Sequence, residues 1–182
     1  MKRIVILIAA LIVALPVFAE KKTPVGVRME VASASQDDNE YELFSYKDKD
    51  GTFGYYLSLG RVYRLVEVVT PNSNSSFDHV DEICIGLGST PDEVFTSLDA
   101  LLGLLEKDLG TVLTFPARVP TVIGLGEAGT ATCIVVKRPL QGKRLCFQFP
   151  VRRRVAETDL TKSAINNLRR SFKFYLKLHP VK

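Results

Sequence analysis

Residue types able to do chemistry crowd one short stretch of this 182-residue chain. Asp78, His79, Asp81 and Glu82 lie within five positions, and Cys84 stands five residues after His79. An imidazole near a thiol is the pairing that activates a cysteine nucleophile. A carboxylate–imidazole cluster is a donor set for a divalent metal. The spacings that make either chemistry specific are missing: Gly-x-Ser-x-Gly, His-Glu-x-x-His and Ser-x-x-Lys do not occur. Cys84 also sits between Ile83 and Ile85, the setting of a buried strand. A small secreted hydrolase using Asp78, His79, Asp81 or Cys84 is therefore the second reading, and neither a metal nor a cofactor is expected.

Three glycine or aspartate motifs carry less. Gly124-Leu125-Gly126-Glu127-Ala128-Gly129 matches the dinucleotide fingerprint, which works only where a strand ends and a helix opens. Thr130 to Val136 are mostly strand formers, so the glycines read as a flexible loop. Gly86-Leu87-Gly88 does precede a helix, but Asp92 and Glu93 in its first turn repel a phosphate. Asp48-Lys49-Asp50-Gly51 has the start of a calcium loop without its later glutamate, and a hairpin turn explains it.

Charge is the most informative feature. Residues 20–136 carry 9 basic and 18 acidic side chains, whereas residues 137–182 carry 13 basic and 2 acidic ones. A balance of −9 is thus followed by one of +11. The candidate anion-binding residues are Arg152, Arg153, Arg154, Lys162, Arg169, Arg170, Lys173 and Lys177. Their partners by chemistry are an acidic protein, a glycan or anionic lipid head groups. Nucleic acid is not expected, because no basic motif is interleaved with aromatics. The plain alternative is a solvated surface on which the two signs complement one another. Tyr46, Tyr55 and Tyr56 are a further candidate surface for a glycan or peptide, or else they fill a sheet face.

The start of the chain reads as an address. Met1-Lys2-Arg3 is followed by twelve apolar residues, Ile4 to Leu15, then Pro16 and the small-residue pattern Val17-Phe18-Ala19. Twelve residues at about 1.5 Å each fall short of a bilayer core about 30 Å thick. Residues 1–19 are therefore expected to be a cleaved signal peptide, and residues 20–182 a single exported domain, periplasmic or secreted, without a transmembrane span. Three cysteines in such a chain leave at least one without an intramolecular partner. Cys133 and Cys146 are the candidate disulfide.

The elements that position these residues follow from periodicity. Val25 to Val31 alternate as a half-buried strand, and residues 33–40 read as a loop. Tyr41–Tyr46 and Phe53–Leu59 flank the Asp-Gly turn as a hairpin. Arg61–Thr70 and Ile83–Leu87 are further strands. Thr90-Pro91-Asp92-Glu93 is a capping box opening a helix over about 91–109. Leu104 falls outside that helix's apolar stripe. Residues 111–123, interrupted by Pro116 and Pro120, suggest an edge strand or an irregular crossing. Thr130–Arg138 and Lys143–Phe149 form a second hairpin. A four-residue loop there sets Ile134 opposite Phe147 and Val136 opposite Leu145, with Cys133 and Cys146 as diagonal neighbours on one face. An amphipathic helix over about 159–179, opened by Asp159, ends the chain.

The expected fold is α+β, a twisted, mainly antiparallel sheet of about six to eight strands with both helices packed on it. The expected function is an exported, non-catalytic binding or interaction module that engages anionic partners through its basic C-terminal third. A peripheral envelope protein attached to anionic lipid is the third reading.

Overall fold

A computed structural model describes residues 26–36, 39–60, 64–67, 82–121, 124–151 and 154–180. The signal-peptide reading, Asp78, His79, Asp81, Arg152 and Arg153 lie outside them, as does the side chain of Arg154. Among the described residues nine strands and two helices follow in the order β1 (Val27–Gln36), β2 (Asn39–Lys47), β3 (Phe53–Ser58), β4 (Arg64–Glu67), β5 (Cys84–Gly88), α1 (Pro91–Leu105), β6 (Val112–Thr121), β7 (Gly124–Arg138), β8 (Gly142–Val151), β9 (Arg154–Leu160) and α2 (Lys162–Leu178).

All nine strands join one antiparallel sheet, in the order β1-β2-β3-β5-β6-β7-β8-β9-β4. The sheet is curled. Asn39 and Tyr41 of β2 donate hydrogen bonds to Thr158 and to the Asp159 carbonyl of β9, although five strands lie between them in the sheet order. The curl accounts for β4. The end of β3 already sits beside β9, where the Leu59 carbonyl accepts from Thr158 Oγ1 at 3.4 Å, so the chain reaches the far edge within a few residues.

The inner face is apolar and carries both helices. Leu43, Leu57, Ile85, Ala131, Cys133, Val135, Leu145, Phe147, Ala156 and Leu160 form one core with Val94, Leu98 and Leu101 of α1 and Ala164, Ile165, Leu168 and Phe172 of α2. Phe172 joins the sheet and both helices: its ring lies 5.5 Å from Tyr55 and 5.4 Å from Phe95.

The α+β class and the paired helices agree with the sequence reading, with one strand more than its upper count. Three local differences have physical causes. Residues 33–36 extend β1 rather than forming a loop, because Ala32 and Ala34 pair with Leu43 and Tyr41 and are buried there. That tertiary gain outweighs the weak strand propensity of Ala and Ser. The second hairpin has a three-residue loop, not a four-residue one. Arg138 pairs Gly142 and Val135 pairs Leu145, so Cys133, Val135, Leu145 and Phe147 share the inner face in place of Ile134 and Val136. Positive φ angles at Leu140 (61°) and Gly142 (77°) build that tighter turn. The glycine-rich stretch 124–129 lies within β7 rather than in a loop.

The helices also end earlier or start later than expected. α1 stops at Leu105, where the amides of Glu106 and Lys107 close the last turn onto Gly103 and Leu104. Gly110 then donates to the Val135 carbonyl of β7, which draws the chain into the sheet, leaving Leu109 exposed and Leu104 buried. α2 starts at Lys162 with Thr161 as its cap, because β9 runs on to Leu160. Asp159 therefore belongs to a strand and not to a helix N-terminus. Pro116 is tolerated within β6 because β5 pairs only with Ala117 and Arg118.

Candidate functional site

The basic C-terminal third divides into cations with partners and cations without. Arg138 is bidentate to Asp159, at 2.8 and 2.9 Å, with Glu157 at 4.0 Å. Lys143 Nζ donates to the Lys107 carbonyl at 2.8 Å. Lys162 Nζ meets Glu106, the residue that caps the C-terminus of α1, at 2.8 Å, and Arg169 Nε meets Asp99 of α1 at 2.9 Å. Arg170, Lys173 and Lys177 make no ion pair among the described residues.

The geometry of α2 sets this division. Thr161 Oγ1 accepts the Ala164 amide and starts the helix, which contains neither proline, glycine nor an acidic residue. At 100° per residue, Lys162, Arg169, Lys173, Lys177 and Arg170 occupy an arc of about 100° beside the buried one. The N-terminal half of that arc faces Asp99 of α1 and Glu106 at its C-cap; its C-terminal half faces no acidic partner among the described residues. Phe95, Arg169, Lys173, Leu176 and Lys177 line an open groove of roughly 420 Å³ between the helices. The Arg169 guanidinium also stands 5.6 Å over the Phe95 ring. Such a groove presents ammonium groups at its rim and an aromatic and an aliphatic side chain on its walls. It suits an anion that carries an apolar part.

The outer face of the sheet holds a polar cluster that the sequence reading missed. Arg28 donates to both oxygens of Glu42 (3.1 and 2.7 Å) and of Glu82 (3.2 and 2.9 Å), and its guanidinium carbon lies 3.9 Å from the Phe44 ring centre. Burial disfavours charge on Arg28, but the two carboxylates outweigh it and hold the side chain cationic. Burial likewise pushes Glu82 up, yet bonds from Arg28 and Ser58 and the Arg28 charge bring it below its ordinary value. One guanidinium is shared by two carboxylates, so the cluster ties β1 and β2 to the segment just before β5. The alternation of Arg28 with the apolar positions of β1 was the available signal; its partners, 14 and 54 residues away, were not.

The thiols are structural. Cys84 is fully buried, and burial first, with Glu82 beside it, pushes its thiol well above the ordinary range, the reverse of an activated nucleophile. Cys133 and Cys146 are pushed up to about 12, burial again being the leading cause. They are free thiols, not the candidate disulfide. The register pairs Cys133 with Phe147 and Cys146 with Ile134, so the two side chains point to opposite faces.

The remaining candidates fall into place as structure. The Asp48–Gly51 turn closes through Gly51 N to Asp48 O (3.0 Å), and Asp50 accepts the Thr52 amide. At the start of α1, Glu93 Oε2 accepts from the Ser89 amide (2.6 Å) and hydroxyl, while Thr90 Oγ1 accepts from the Glu93 amide. The helix's own carboxylate thus fills the place a phosphate would take. Tyr46 and Tyr55 are buried, and Tyr56 stacks on Phe44 at 5.7 Å, so the three tyrosines form no platform. Among the described residues no group of three or more His, Cys, Asp or Glu side chains could hold a metal ion, and no helix is long and apolar enough to cross a membrane. Comparison of the chain with family models, with curated proteins and with solved structures finds no match.

Proposed function

We propose that this is an exported, non-catalytic binding module that engages anionic partners through the cationic face of α2. The observation that carries the reading is the convergence of Lys173 and Lys177, neither neutralised by a described residue, on one groove with Phe95 and Leu176. A surface that existed only for solubility would interleave both signs; α2 carries no acid along its length. Arg170 extends the same face. Lys162 and Arg169, paired to Glu106 and Asp99, contribute less to an outside partner because their charge is already matched.

Titration of the protein with poly-glutamate, a soluble polyanion, tests the reading. Binding is expected at low ionic strength and is expected to weaken as salt shortens the screening length from about 30 Å at 0.01 M to about 8 Å at 0.15 M. The double variant K173E/K177E is expected to lose about tenfold or more in affinity, equivalent to about 1.4 kcal/mol. Its fold is expected to be unchanged, since both side chains are exposed. Absence of binding by the wild type at low salt, or equal binding by the variant, overturns the proposal.

A further inference from the structure

We infer that the end of the domain formed by the start of β1, the start of β3 and the last turns of α2 seats on an anionic lipid bilayer. This rests on the cationic-face reading of α2 and names its partner.

The placement follows from the way α2 lies along β1. Thr161, at the start of the helix, hydrogen-bonds Gln36 at the end of the strand, and Tyr175 Oη reaches Met29 Sδ at 3.9 Å. Helix and strand are therefore antiparallel, which brings Leu178 and Val27 to the same end. Val27 pairs with Lys47, and Lys47 pairs with Phe53, so these three share one row across β1, β2 and β3. Met29 is two residues along the same face, and the Phe53 ring meets Tyr55 edge-on at 5.2 Å.

Large apolar side chains are left open at this end. Val27 is 68% exposed, Met29 51%, Phe53 41%, Phe174 62% and Leu178 60%. Phe174 and Leu178 stand four residues apart and so lie one above the other on the helix. They lie outside the buried stripe, which Ala164, Ile165, Leu168 and Phe172 provide. Clustering of this kind marks a docking surface.

The charges beside it select the occupant. Arg170, Lys173 and Lys177 flank Phe174 and Leu178 along the helix, and Lys47 stands within the apolar row. Of the acidic groups nearby, Asp48 and Asp50 belong to the β2–β3 turn, where turn amides engage both and the Lys49 charge offsets Asp50, and Glu30 follows Met29 with its side chain on the other face of β1. Apolar side chains that can enter the acyl boundary, bordered by lysines whose ammonium groups stay at the head groups, form the arrangement of an interfacial helix. Each lysine held near an anionic leaflet contributes roughly fivefold in partitioning.

The chain has no tryptophan, which makes an insertion probe simple to build. In F174W the single indole is expected to shift to shorter wavelength, and to be quenched by acyl-brominated lipid, on addition of vesicles of phosphatidylcholine mixed with phosphatidylglycerol. Phosphatidylcholine alone is expected to have little effect. Cosedimentation of the otherwise native chain should show the same preference, weakened by salt. F174S/L178S is expected to lose about tenfold in vesicle partitioning while binding poly-glutamate as the wild type does. Equal vesicle binding by F174S/L178S overturns the inference, as does equal binding of neutral vesicles or the absence of an indole shift. If poly-glutamate binds and anionic vesicles do not, the bilayer inference fails, the groove reading stands, and the partner is an acidic macromolecule. If neither binds, both fail.

Discussion

Both helices cover the same inner face of the sheet, yet they meet the outside differently. α1 is closed on itself: its first turn is sealed by Thr90 and Glu93, and its acidic Asp99, with Glu106 at its C-cap, is spent on α2. α2 has no acid of its own and ends in Lys173, Phe174, Lys177 and Leu178, all exposed. One helix completes the core; the other completes the core and leaves an amphipathic face unmatched. Burial alone therefore does not assign a role to a helix. What separates the two is whether polar and apolar groups outside the buried stripe find partners in the same chain.

The largest expected effect sets two neighbouring aromatics of α2 against each other. Phe172→Ala should cost about 3–5 kcal/mol, because the ring fills the joint between Tyr55, Phe95 and the sheet. Phe174→Ala should stay within about 0.5 kcal/mol. Urea unfolding of both variants measures the difference, and equal losses would show that the exposed flank of α2 is held by the fold after all.

Acid should separate the helices next. Hydrogen bonds from Ser89 to Glu93 and from Lys162 to Glu106 hold both carboxyls below their ordinary 4.5. A carboxylate with a depressed value stabilises the fold above that range, and the contribution is lost as pH falls through the folded-state value. Amide protection, taken relative to the intrinsic exchange rate, is therefore expected to fall in the first turn of α1 as pH drops below about 4.5, whereas the first turn of α2, capped by the uncharged Thr161 and losing only the exposed Lys162 side-chain pair, should respond less. The Arg28–Glu82 pair adds loss of the same sign. Equal loss of protection in both helices would break the contrast.

The smallest effect is the most pointed. Asp99→Asn frees Arg169, an exposed pair worth less than about 0.5 kcal/mol to stability. Poly-glutamate affinity should rise, with a steeper dependence on salt. A fall would mean that Asp99 positions Arg169 for the ligand rather than neutralising it.

The parts of this fold that were legible are those whose cause lies within a few residues. The Thr90–Glu93 capping box, the Asp48–Gly51 turn and the alternation of β1 each declare themselves over about four positions, because caps, tight turns and side-chain periodicity are local interactions. β9 was not legible. Arg154 to Leu160 carry no strong strand pattern, and the segment becomes a strand because β8 and β4 stand on either side of it. The candidate site was half legible. Which residues of α2 are cationic is plain from the chain; that Asp99 and Glu106 neutralise two of them while Lys173 and Lys177 stay unmatched is not.

The amino-acid order by itself determined the class of fold, both helices and the concentration of positive charge near the C-terminus, since composition and short-range periodicity suffice for these. The tertiary structure decided the register of β7 on β8, the opposite facing of Cys133 and Cys146, the burial of Tyr46 and Tyr55, and the division of the cations into matched and unmatched. Each depends on groups tens of residues apart meeting across the curled sheet or between the helices, and such meetings are set by how the core closes, not by neighbours along the chain.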